Sequence, residues 1–260
     1  MDLSQFVLEG KTALVTGGSR GIGEATAIAL ANAGADVAVT SRKLPELVRV
    51  ADRIREVGRK SMAVETHVGR MDQLQPLVDK VVSEFGKIDI LVNNGGTSVA
   101  SPAMEYSEKA WDSVMNLNLK GLFFLSQAVA RVMMENGGGN IINVTSISAF
   151  KPEIPTCAYS ISKAGVVMAT QCMAIEWAQH NIRVNAIAPG PIDTHLFNAK
   201  YAVLPEEEAE QQLAGIATRV PLRRIGQPNE IADAMVFLAS NASSYLTGQT
   251  ITIDGGLTLR

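Results

Sequence analysis

The segment TGGSRGIG (residues 16–23) joins a short strand rich in β-branched residues to a helix through a turn rich in glycine. In such a turn Gly17 permits the tight bend, Gly21 lets the backbone approach a ligand, and Gly23 lets helix and strand pack closely. The start of the helix offers free N–H groups and a positive dipole, which suit a pyrophosphate. The Gly-Lys-Ser/Thr sequence of a triphosphate-binding loop is missing. The segment therefore predicts a dinucleotide-binding turn.

Short strands alternate with longer helices on both sides of this turn. Strands are predicted at 12–17, 35–41, 61–68, 88–95, 140–146, 182–189 and 250–256, and helices at 23–34, 45–58, 71–86, 107–137 and 158–180, with two shorter helices before the last strand. This alternation predicts right-handed βαβ crossovers and a parallel sheet covered by helices on both faces. No linker or repeat interrupts the pattern, so we predict one α/β domain over residues 1–260.

Composition narrows the class of protein. A hydrophobic fraction of 47% with 19% charged residues is typical of a packed globular core. The net charge of −3 gives no electrostatic reason to expect nucleic acid as a partner. No apolar run approaches the ~18 residues of a membrane span, and the start MDLSQFVLEGK lacks a secretory pattern. Cys157 and Cys172 are the only cysteines and the histidines are scattered, so we expect a cytoplasmic protein without a metal.

Further motifs follow the glycine turn in a fixed order. They are Asn93-Asn94-Gly95, Asn118, Ser146, Tyr159-x-x-x-Lys163 and Pro189-Gly190. In this order and spacing the chain resembles the short-chain dehydrogenase/reductases of the compact single-domain type, from about residue 8 to its end. The resemblance implies a seven-stranded, doubly wound Rossmann-type sheet and nicotinamide chemistry, in which a hydride passes between a small ketone and a secondary alcohol.

Tyr159 and Lys163 stand four positions apart, which places both on one face of a helix. A free phenol has a pKa near 10. An ammonium ~4 Å away is worth about 4 kcal/mol at an effective dielectric near 20, which is enough to lower the phenol pKa towards neutrality. We therefore predict that Tyr159 is the general acid/base of the reaction. The resemblance adds that Lys163 also holds the nicotinamide ribose.

Two polar residues complete the predicted catalytic set. Ser146 ends a strand at the carboxyl edge of the sheet, where its hydroxyl can hydrogen-bond the substrate oxygen. Ser148 is its competitor, and the family's spacing to the tyrosine selects Ser146. Asn118 resembles the family residue that holds a water for proton relay, with Asn116 as the less fitting alternative in the sequence NLNLKG.

The second strand indicates which cofactor binds. Sites that prefer NAD usually carry an acid at the carboxyl end of this strand. Asp36 stands at the opposite end, roughly 16 Å from Ser41. The carboxyl end instead carries Ser41 and Arg42, and Arg20 of the glycine turn can approach the same place. Two arginines and a hydroxyl suit a 2′-phosphate, so NADP(H) is predicted over NAD(H).

The resemblance assigns further cofactor contacts along the chain. Two of them depart from the family pattern: His67 replaces an aspartate that commonly faces the adenine amino group, and Gly96 replaces an alanine. The full predicted set of cofactor-binding residues is Gly17, Ser19, Arg20, Gly21, Ile22, Gly23, Ser41, Arg42, His67, Val68, Asn94, Gly95, Gly96, Tyr159, Lys163, Pro189, Gly190, Ile192 and Thr194.

A substrate lid is predicted around residues 190–225. Leu196, Phe197 and Tyr201 either line it or anchor its helix in the core. The residues expected to face the substrate are mostly neutral and favour an uncharged or weakly polar small ketone; they are Thr97, Ser98, Ile154, Cys157 and Phe197.

Two rival functions follow from the same sequence. A 3-oxoacyl-carrier-protein reductase is one, and a catalytically silent cofactor-binding regulator is the other. The intact Ser146, Tyr159 and Lys163 argue against the silent protein. Carrier reductases resemble one another in presenting basic residues near the site. Here the corresponding segments read ENGG (135–138) and HN (180–181), although Arg131 and Arg183 could compensate.

The helix that carries the tyrosine also predicts assembly. Its sequence AGVVMATQCMAIEWA (164–178) is small or apolar on nearly every side, which indicates burial on both faces. Family members commonly pair this helix and the long helix before it. We therefore expect a homotetramer.

Overall fold

The computed structural model describes residues 3–199, 201 and 204–259, and within them seven strands form one sheet. Every neighbouring pair is parallel, and the strands lie in the order β3-β2-β1-β4-β5-β6-β7. The strands are β1 (Thr12–Thr16), β2 (Asp36–Ser41), β3 (Ser61–Glu65), β4 (Ile90–Asn93), β5 (Gly139–Val144), β6 (Ile182–Pro189) and β7 (Thr250–Ile253). The prediction of a doubly wound Rossmann-type sheet is confirmed. The strand order switches between β1 and β4, because β2 and β3 lie on one side of β1 and β4 to β7 lie on the other. Sheets of this kind bind ligands at such a switch point.

Helices cover both faces of the sheet. They are α1 (Gly21–Asn32), α2 (Leu44–Glu56), α3 (Leu74–Phe85), α4 (Glu108–Met115), α5 (Leu122–Glu135), α6 (Cys157–Trp177), α7 (His195–Asn198), α8 (Glu206–Arg219) and α9 (Pro228–Ala239). A π-helical segment, Asn116–Gly121, joins α4 to α5. No helix among the described residues is both long and apolar enough to cross a membrane.

The buried side chains separate into two clusters because neighbouring residues of a strand point to opposite faces. In β1, Ala13 and Val15 belong to one cluster and Leu14 to the other. The first cluster packs the sheet against α1, α2 and α9, and the second packs it against α3, α5 and α6. Strands buried on both faces are continuous in hydrophobicity, which is why they could be predicted from sequence.

The structure corrects the predicted strand 61–68, which ends at Glu65. The Thr66 amide still donates to the Ser41 carbonyl oxygen at 2.9 Å, but the next amide, of His67, turns to the Gln73 side chain at 2.7 Å. Residues 66–68 therefore leave the sheet and form the wall of a cavity.

The predicted helix 107–137 is also corrected, because the π segment divides it. Gly121, at the end of that segment, lies so close to the loop after β3 that a Cβ atom would come within 2.2 Å of the Val68 carbonyl oxygen. Instead of the two shorter helices expected before β7, the structure has α7, α8 and α9. The predicted lid contains α7 and α8, and its residues 200, 202 and 203 lie outside the described residues.

Candidate active site

A cavity of about 1100 Å³ opens at the carboxyl ends of the strands. Its wall brings together nearly all of the predicted site residues. These are Gly17, Ser19, Arg20, Gly21, Ile22, Ser41, Arg42, His67, Val68, Asn94, Gly95, Gly96, Ser146, Tyr159, Lys163, Pro189, Gly190, Ile192 and Thr194. Gly23 and Asn118 are not among the wall residues.

The backbone of the glycine turn adopts conformations and close contacts that a side chain at these positions would not allow. Gly17 and Gly21 adopt φ values of 64° and 58°, in the left-handed region that favours glycine. Gly23 supports the turn from behind, since a Cβ atom there would lie 2.2 Å from the Gly17 carbonyl oxygen. The Asn94 side chain donates to the carbonyl oxygens of Thr16 (3.0 Å) and Gly17 (3.2 Å), which ties the turn to the end of β4.

The N-terminus of α1 opens into this cavity without a side-chain cap. Arg20 occupies the N-cap position in an extended conformation, and its side chain makes no capping hydrogen bond to the first turn. The only acid in that turn, Glu24, is bound by Arg49 at 2.7 Å and by Arg53 at 2.5 Å. The free N–H groups and the helix dipole therefore suit a phosphate group, and the residues present fit a dinucleotide.

Two arginines stand near the end of β2, Arg20 from the glycine turn and Arg42 directly after the strand. Within the described part of the chain, neither Arg20 nor Arg42 forms a salt bridge, and both are exposed on the cavity wall. The neighbouring Lys43 is paired with Glu46 at 3.1 Å. At the far end of β2, Asp36 binds Arg59 at 3.0 Å, away from the cavity. The carboxyl end of β2 is thus cationic, as its sequence predicted.

Lys163 is buried beside the end of β5. Its side chain is only 3% exposed, and its Nζ atom donates to the Val144 carbonyl oxygen at 2.8 Å. The Thr145 hydroxyl in turn donates to the Lys163 carbonyl oxygen at 2.8 Å, so β5 and α6 are joined on both sides. Burial lowers the pKa of the Lys163 ammonium to about 8.

The expectation of a lowered pKa for Tyr159 is wrong for the protein alone. Burial raises the pKa of the phenol, a hydrogen bond with Ser146 lowers it, and the charge of Glu153 raises it, with burial the largest effect. The Lys163 ammonium lies 5.6 Å from the centroid of the phenol ring and donates to backbone, so it does not offset the loss of water. Tyr159 consequently holds its proton at neutral pH and can serve as a donor.

Both candidate serines stand at this end of the cavity. The Ser146 hydroxyl donates to the Ser148 hydroxyl at 3.2 Å and accepts from the Ser148 amide at 3.1 Å. The Ser146 hydroxyl also lies close enough to Tyr159 to lower the pKa of the phenol, against the larger effect of burial. An oxygen atom of a ligand beside Tyr159 would therefore meet two hydroxyl groups already oriented by one another.

Asn118 lies behind the cavity wall. It is fully buried, its Oδ1 accepts from the Thr97 amide at 2.9 Å, and its Nδ2 donates to the Thr97 carbonyl oxygen at 2.9 Å and to Ser162 at 3.0 Å. Both side-chain N–H bonds are used, so the side chain holds the loop after β4 against α6. The π segment turns Asn118 inward, and such segments often occur at functional sites.

Gly96 leaves room for the side chain that the family pattern has there. A Cβ atom at Gly96 would lie 3.6 Å from both the Asn118 Oδ1 and the Lys163 Nζ atoms, an ordinary van der Waals distance. The departure therefore opens a small gap beside the buried ammonium and does not strain the turn.

The opposite end of the cavity was only partly foreseen. Thr97, Ser98, Ile154, Leu196 and Phe197 line it, as predicted. Cys157 does not line it, and neither does Tyr201, whose buried ring packs against Phe197 with the centroids 5.7 Å apart.

Charged residues that the sequence analysis missed share this wall. They are Lys151 and Glu153 from the loop before α6, His195 from α7 and Arg219 from the end of α8, together with Lys43 and Glu46 at the cofactor end. Lys151 could have been found from its closeness to Ser146 in sequence, but Arg219 carries no local signal. The substrate end of the wall therefore carries charged side chains besides the neutral ones that the sequence predicted. The described residues contain no cluster of three or more metal-ligating side chains.

Comparison with known proteins gives consistent matches over almost the whole chain. A family model described as Enoyl-(Acyl carrier protein) reductase matches residues 17–258. The 2-dehydro-3-deoxy-D-gluconate 5-dehydrogenase of Escherichia coli (strain K12) is 44% identical over 257 residues, covering 98% of each chain. The 3-oxoacyl-(acyl-carrier-protein) reductase FabG of Thermotoga maritima is 41% identical over 255 residues, covering 97% of this chain and 99% of the relative.

A solved structure agrees with these relatives. The crystal structure of a gluconate 5-dehydrogenase from Burkholderia cenocepacia J2315, in complex with NADP and tartrate, superposes with a TM-score of 0.92. It is 35% identical in sequence, and the match covers 99% of each chain.

Proposed function

The chain belongs to the short-chain dehydrogenase/reductase family, whose members are oxidoreductases acting on CH–OH groups, and on that premise we propose that it is an NADP(H)-dependent dehydrogenase of a small hydroxy acid. It interconverts a secondary alcohol and the corresponding ketone. One observation carries the proposal: Ser146, Tyr159 and Lys163 share a cavity wall with the uncapped start of α1. A silent cofactor-binding protein would not need the buried acid and base groups.

The cofactor in this proposal is NADP(H). The first turn of α1 would hold the pyrophosphate, and Arg20, Ser41 and Arg42 would hold the 2′-phosphate by charge-assisted hydrogen bonds. The gluconate 5-dehydrogenase of B. cenocepacia binds NADP with the same fold, which supports this choice. Bound NADPH supplies the hydride for ketone reduction.

The chain's own residues supply and control the proton. Ser146 and Ser148 orient the ketone oxygen, and Tyr159 donates its proton to that oxygen as negative charge develops there. The phenolate left behind faces the buried ammonium of Lys163, which stabilises its charge. Asn118 acts as a positioning residue, since it fixes Thr97 beside the cavity and Ser162 beside Lys163.

The substrate in this proposal carries a carboxylate. Three basic side chains, Lys151, His195 and Arg219, line the substrate end of the cavity, against one acid, Glu153. A wall of this kind attracts small anions. The relatives named for 2-dehydro-3-deoxy-D-gluconate and gluconate act on sugar acids, and tartrate is itself a hydroxy acid.

Reduction of acyl chains on a carrier protein is the second candidate, because a 41%-identical relative is a carrier-protein reductase. The surface favours it less. Arg183 cannot meet a carrier, since its guanidinium donates inward to the carbonyl oxygens of Leu246, Leu238 and Ser240 at 3.1, 3.0 and 3.2 Å. Of the two arginines that could compensate, Arg131 is the one with an exposed side chain.

The proposal extends to assembly and location. Exposed apolar side chains run along α6 at Ile161, Met168 and Ile175, which are 48%, 58% and 81% exposed, and Phe124 of α5 is 42% exposed. This apolar stripe supports a homotetramer built on α5 and α6. The exposed free thiol of Cys172 supports the reducing cytoplasm as its location. The chain acts as a single domain, with α7 and α8 as its substrate lid.

The proposal is tested by NADPH oxidation against a matched panel. The panel contains keto-sugar acids, the same keto-sugars without the carboxylate, neutral ketones and diketones, an acetoacetyl thioester, and the acetoacetyl-carrier protein. We expect the highest kcat/KM for a keto acid. A highest kcat/KM for the carrier-bound chain would replace the proposal with its rival.

A further inference from the structure

His67 stands where the cofactor cavity meets the end of β3. Ser41, the last residue of β2, pairs with Glu65, the last residue of β3, and His67 follows two positions later. Neighbouring strands lie only about 4.8 Å apart. If Ser41 and Arg42 hold the adenosine ribose, the base on that ribose reaches the wall that contains His67, Val68 and Leu117.

The ring of His67 is held in one orientation. The Gly69 amide donates to its Nδ1 atom at 3.1 Å, and the His67 amide donates to the Gln73 side chain at 2.7 Å. The ring edge formed by Nδ1 and Cε1 packs on Gly69, where a Cβ atom would lie 3.2 and 3.0 Å from these two atoms. A glycine at position 69 is what allows this contact.

The hydrogen bond from Gly69 determines what the other edge of the ring offers. Because Nδ1 accepts, its lone pair is occupied, and the proton of the neutral ring resides on Nε2. No described residue is hydrogen-bonded to Nε2. His67 therefore presents a hydrogen-bond donor, whereas an aspartate at this position would present only acceptors.

A hydrogen-bond donor at this place favours one purine base and an acceptor favours another. Adenine carries a 6-amino group, which donates, next to N1, which accepts, whereas hypoxanthine carries a 6-oxo group, which accepts, next to N1–H, which donates. Resting on the cofactor site of the proposed function, we propose that His67 Nε2–H makes this site selective for an acceptor on the purine. The protein then binds the 6-oxopurine dinucleotide, nicotinamide hypoxanthine dinucleotide phosphate, at least as well as NADP(H).

Binding of the two reduced dinucleotides, followed by their fluorescence and by calorimetry, tests this without turnover. For the wild type we expect a Kd for the hypoxanthine form equal to or below that for NADPH. In His67→Asp the carboxylate can accept a hydrogen bond from the 6-amino group of adenine, and it repels the 6-oxo group of hypoxanthine. The ratio of the two Kd values should therefore shift towards NADPH by about tenfold or more, as expected for a charged hydrogen bond. His180→Asp, which changes the same residue type outside the cavity wall, is the matched control and leaves the Kd ratio unchanged.

The outcomes separate this inference from the function on which it rests. A wild-type Kd for NADPH more than about threefold below that for the hypoxanthine form would overturn the reading of His67, and so would an unchanged ratio in His67→Asp. Failure of the wild type to bind either dinucleotide would instead overturn the cofactor site itself, and the inference with it.

Discussion

The Nζ atom of Lys163 lies 5.6 Å from the centroid of the Tyr159 ring, one helical turn away along α6. A second contact, the 2.8 Å hydrogen bond to the Val144 carbonyl oxygen, keeps this ammonium buried at the end of β5. In such a site a charge acts more strongly than in water. In the proposed mechanism the ammonium therefore stabilises the phenolate that forms as Tyr159 gives up its proton, although it does not lower the pKa of the resting phenol.

The pH dependence of reduction follows from Lys163. Burial lowers the pKa of its ammonium to about 8, so the group is charged below that pH and neutral above it. In the proposed mechanism this charge assists the reaction, so kcat/KM for ketone reduction should be level below the pKa and fall about tenfold per pH unit above it. An arginine stays protonated throughout this range, so Lys163→Arg should lose this limb in whatever activity remains. A wild-type profile level up to pH about 10 would show that Lys163 has no such role.

Arg42 should determine the choice of cofactor. Replacing Arg42 with Asp removes a partner of the 2′-phosphate and supplies an acceptor for ribose hydroxyls, so we expect the KM for NADPH to rise by about tenfold or more while NADH improves relative to it. Arg55→Asp, on the exposed side of α2 and outside the cavity wall, is the matched control. A wild-type protein that already prefers NADH to NADPH would contradict the assignment of Arg42 as a partner of the 2′-phosphate.

Arg219 should recognise the carboxylate of the substrate. It ends α8 and lines the cavity, so Arg219→Gln should raise the KM for a keto acid about tenfold and leave that for a neutral ketone of similar size nearly unchanged. Arg131→Gln, on the outer surface of α5, controls for loss of a charge. Equal effects on the acid and the neutral ketone would mean that Arg219 only supports the lid.

The same assays at low and physiological salt address the carrier protein. Attraction between a basic surface and an acidic carrier weakens as salt screens it. With Arg183 turned inward, we expect no advantage of the acetoacetyl-carrier protein over its short thioester mimic at either salt concentration. An advantage that fades with salt would favour the fatty-acid reductase.

The parts of the fold that depend on local pattern could be predicted. All seven strands and the glycine turn were found, because buried strands and helix starts have their own sequence signals. The end of β3 could not be found, since it depends on the Gln73 side chain binding the His67 amide. The π segment was missed for a similar reason: Gly121 packs against Val68, which is distant in sequence.

The sequence predicted which residues line the site better than it predicted their pKa values. Ordered motifs identified the wall residues from Gly17 to Thr194. The pKa of Tyr159 was predicted in the wrong direction because burial is a property of the tertiary structure, and sequence spacing shows only its proximity to Lys163. Arg219 was missed because α8 reaches the cavity only after the chain has folded over it.

The apolar stripe on α6 should hold the assembly together. Met168 is 58% exposed on it, so Met168→Glu should place a charge in the interface and convert a tetramer into smaller species in sedimentation experiments. Val48→Glu, at a 41% exposed position of α2, tests the same change elsewhere and should leave the mass unchanged. A monomeric wild type would refute the assignment of this stripe.

Turnover of Tyr159→Phe with NADPH and the best keto acid tests the account most directly. The change removes one hydroxyl and leaves the ring on α6, so the proton donor is lost while the cavity keeps its shape. We predict a fall in kcat of about 10²- to 10⁴-fold, with the Kd for NADPH within about twofold of the wild type. Retention of more than about a tenth of the wild-type kcat would contradict the assignment of Tyr159 as the general acid.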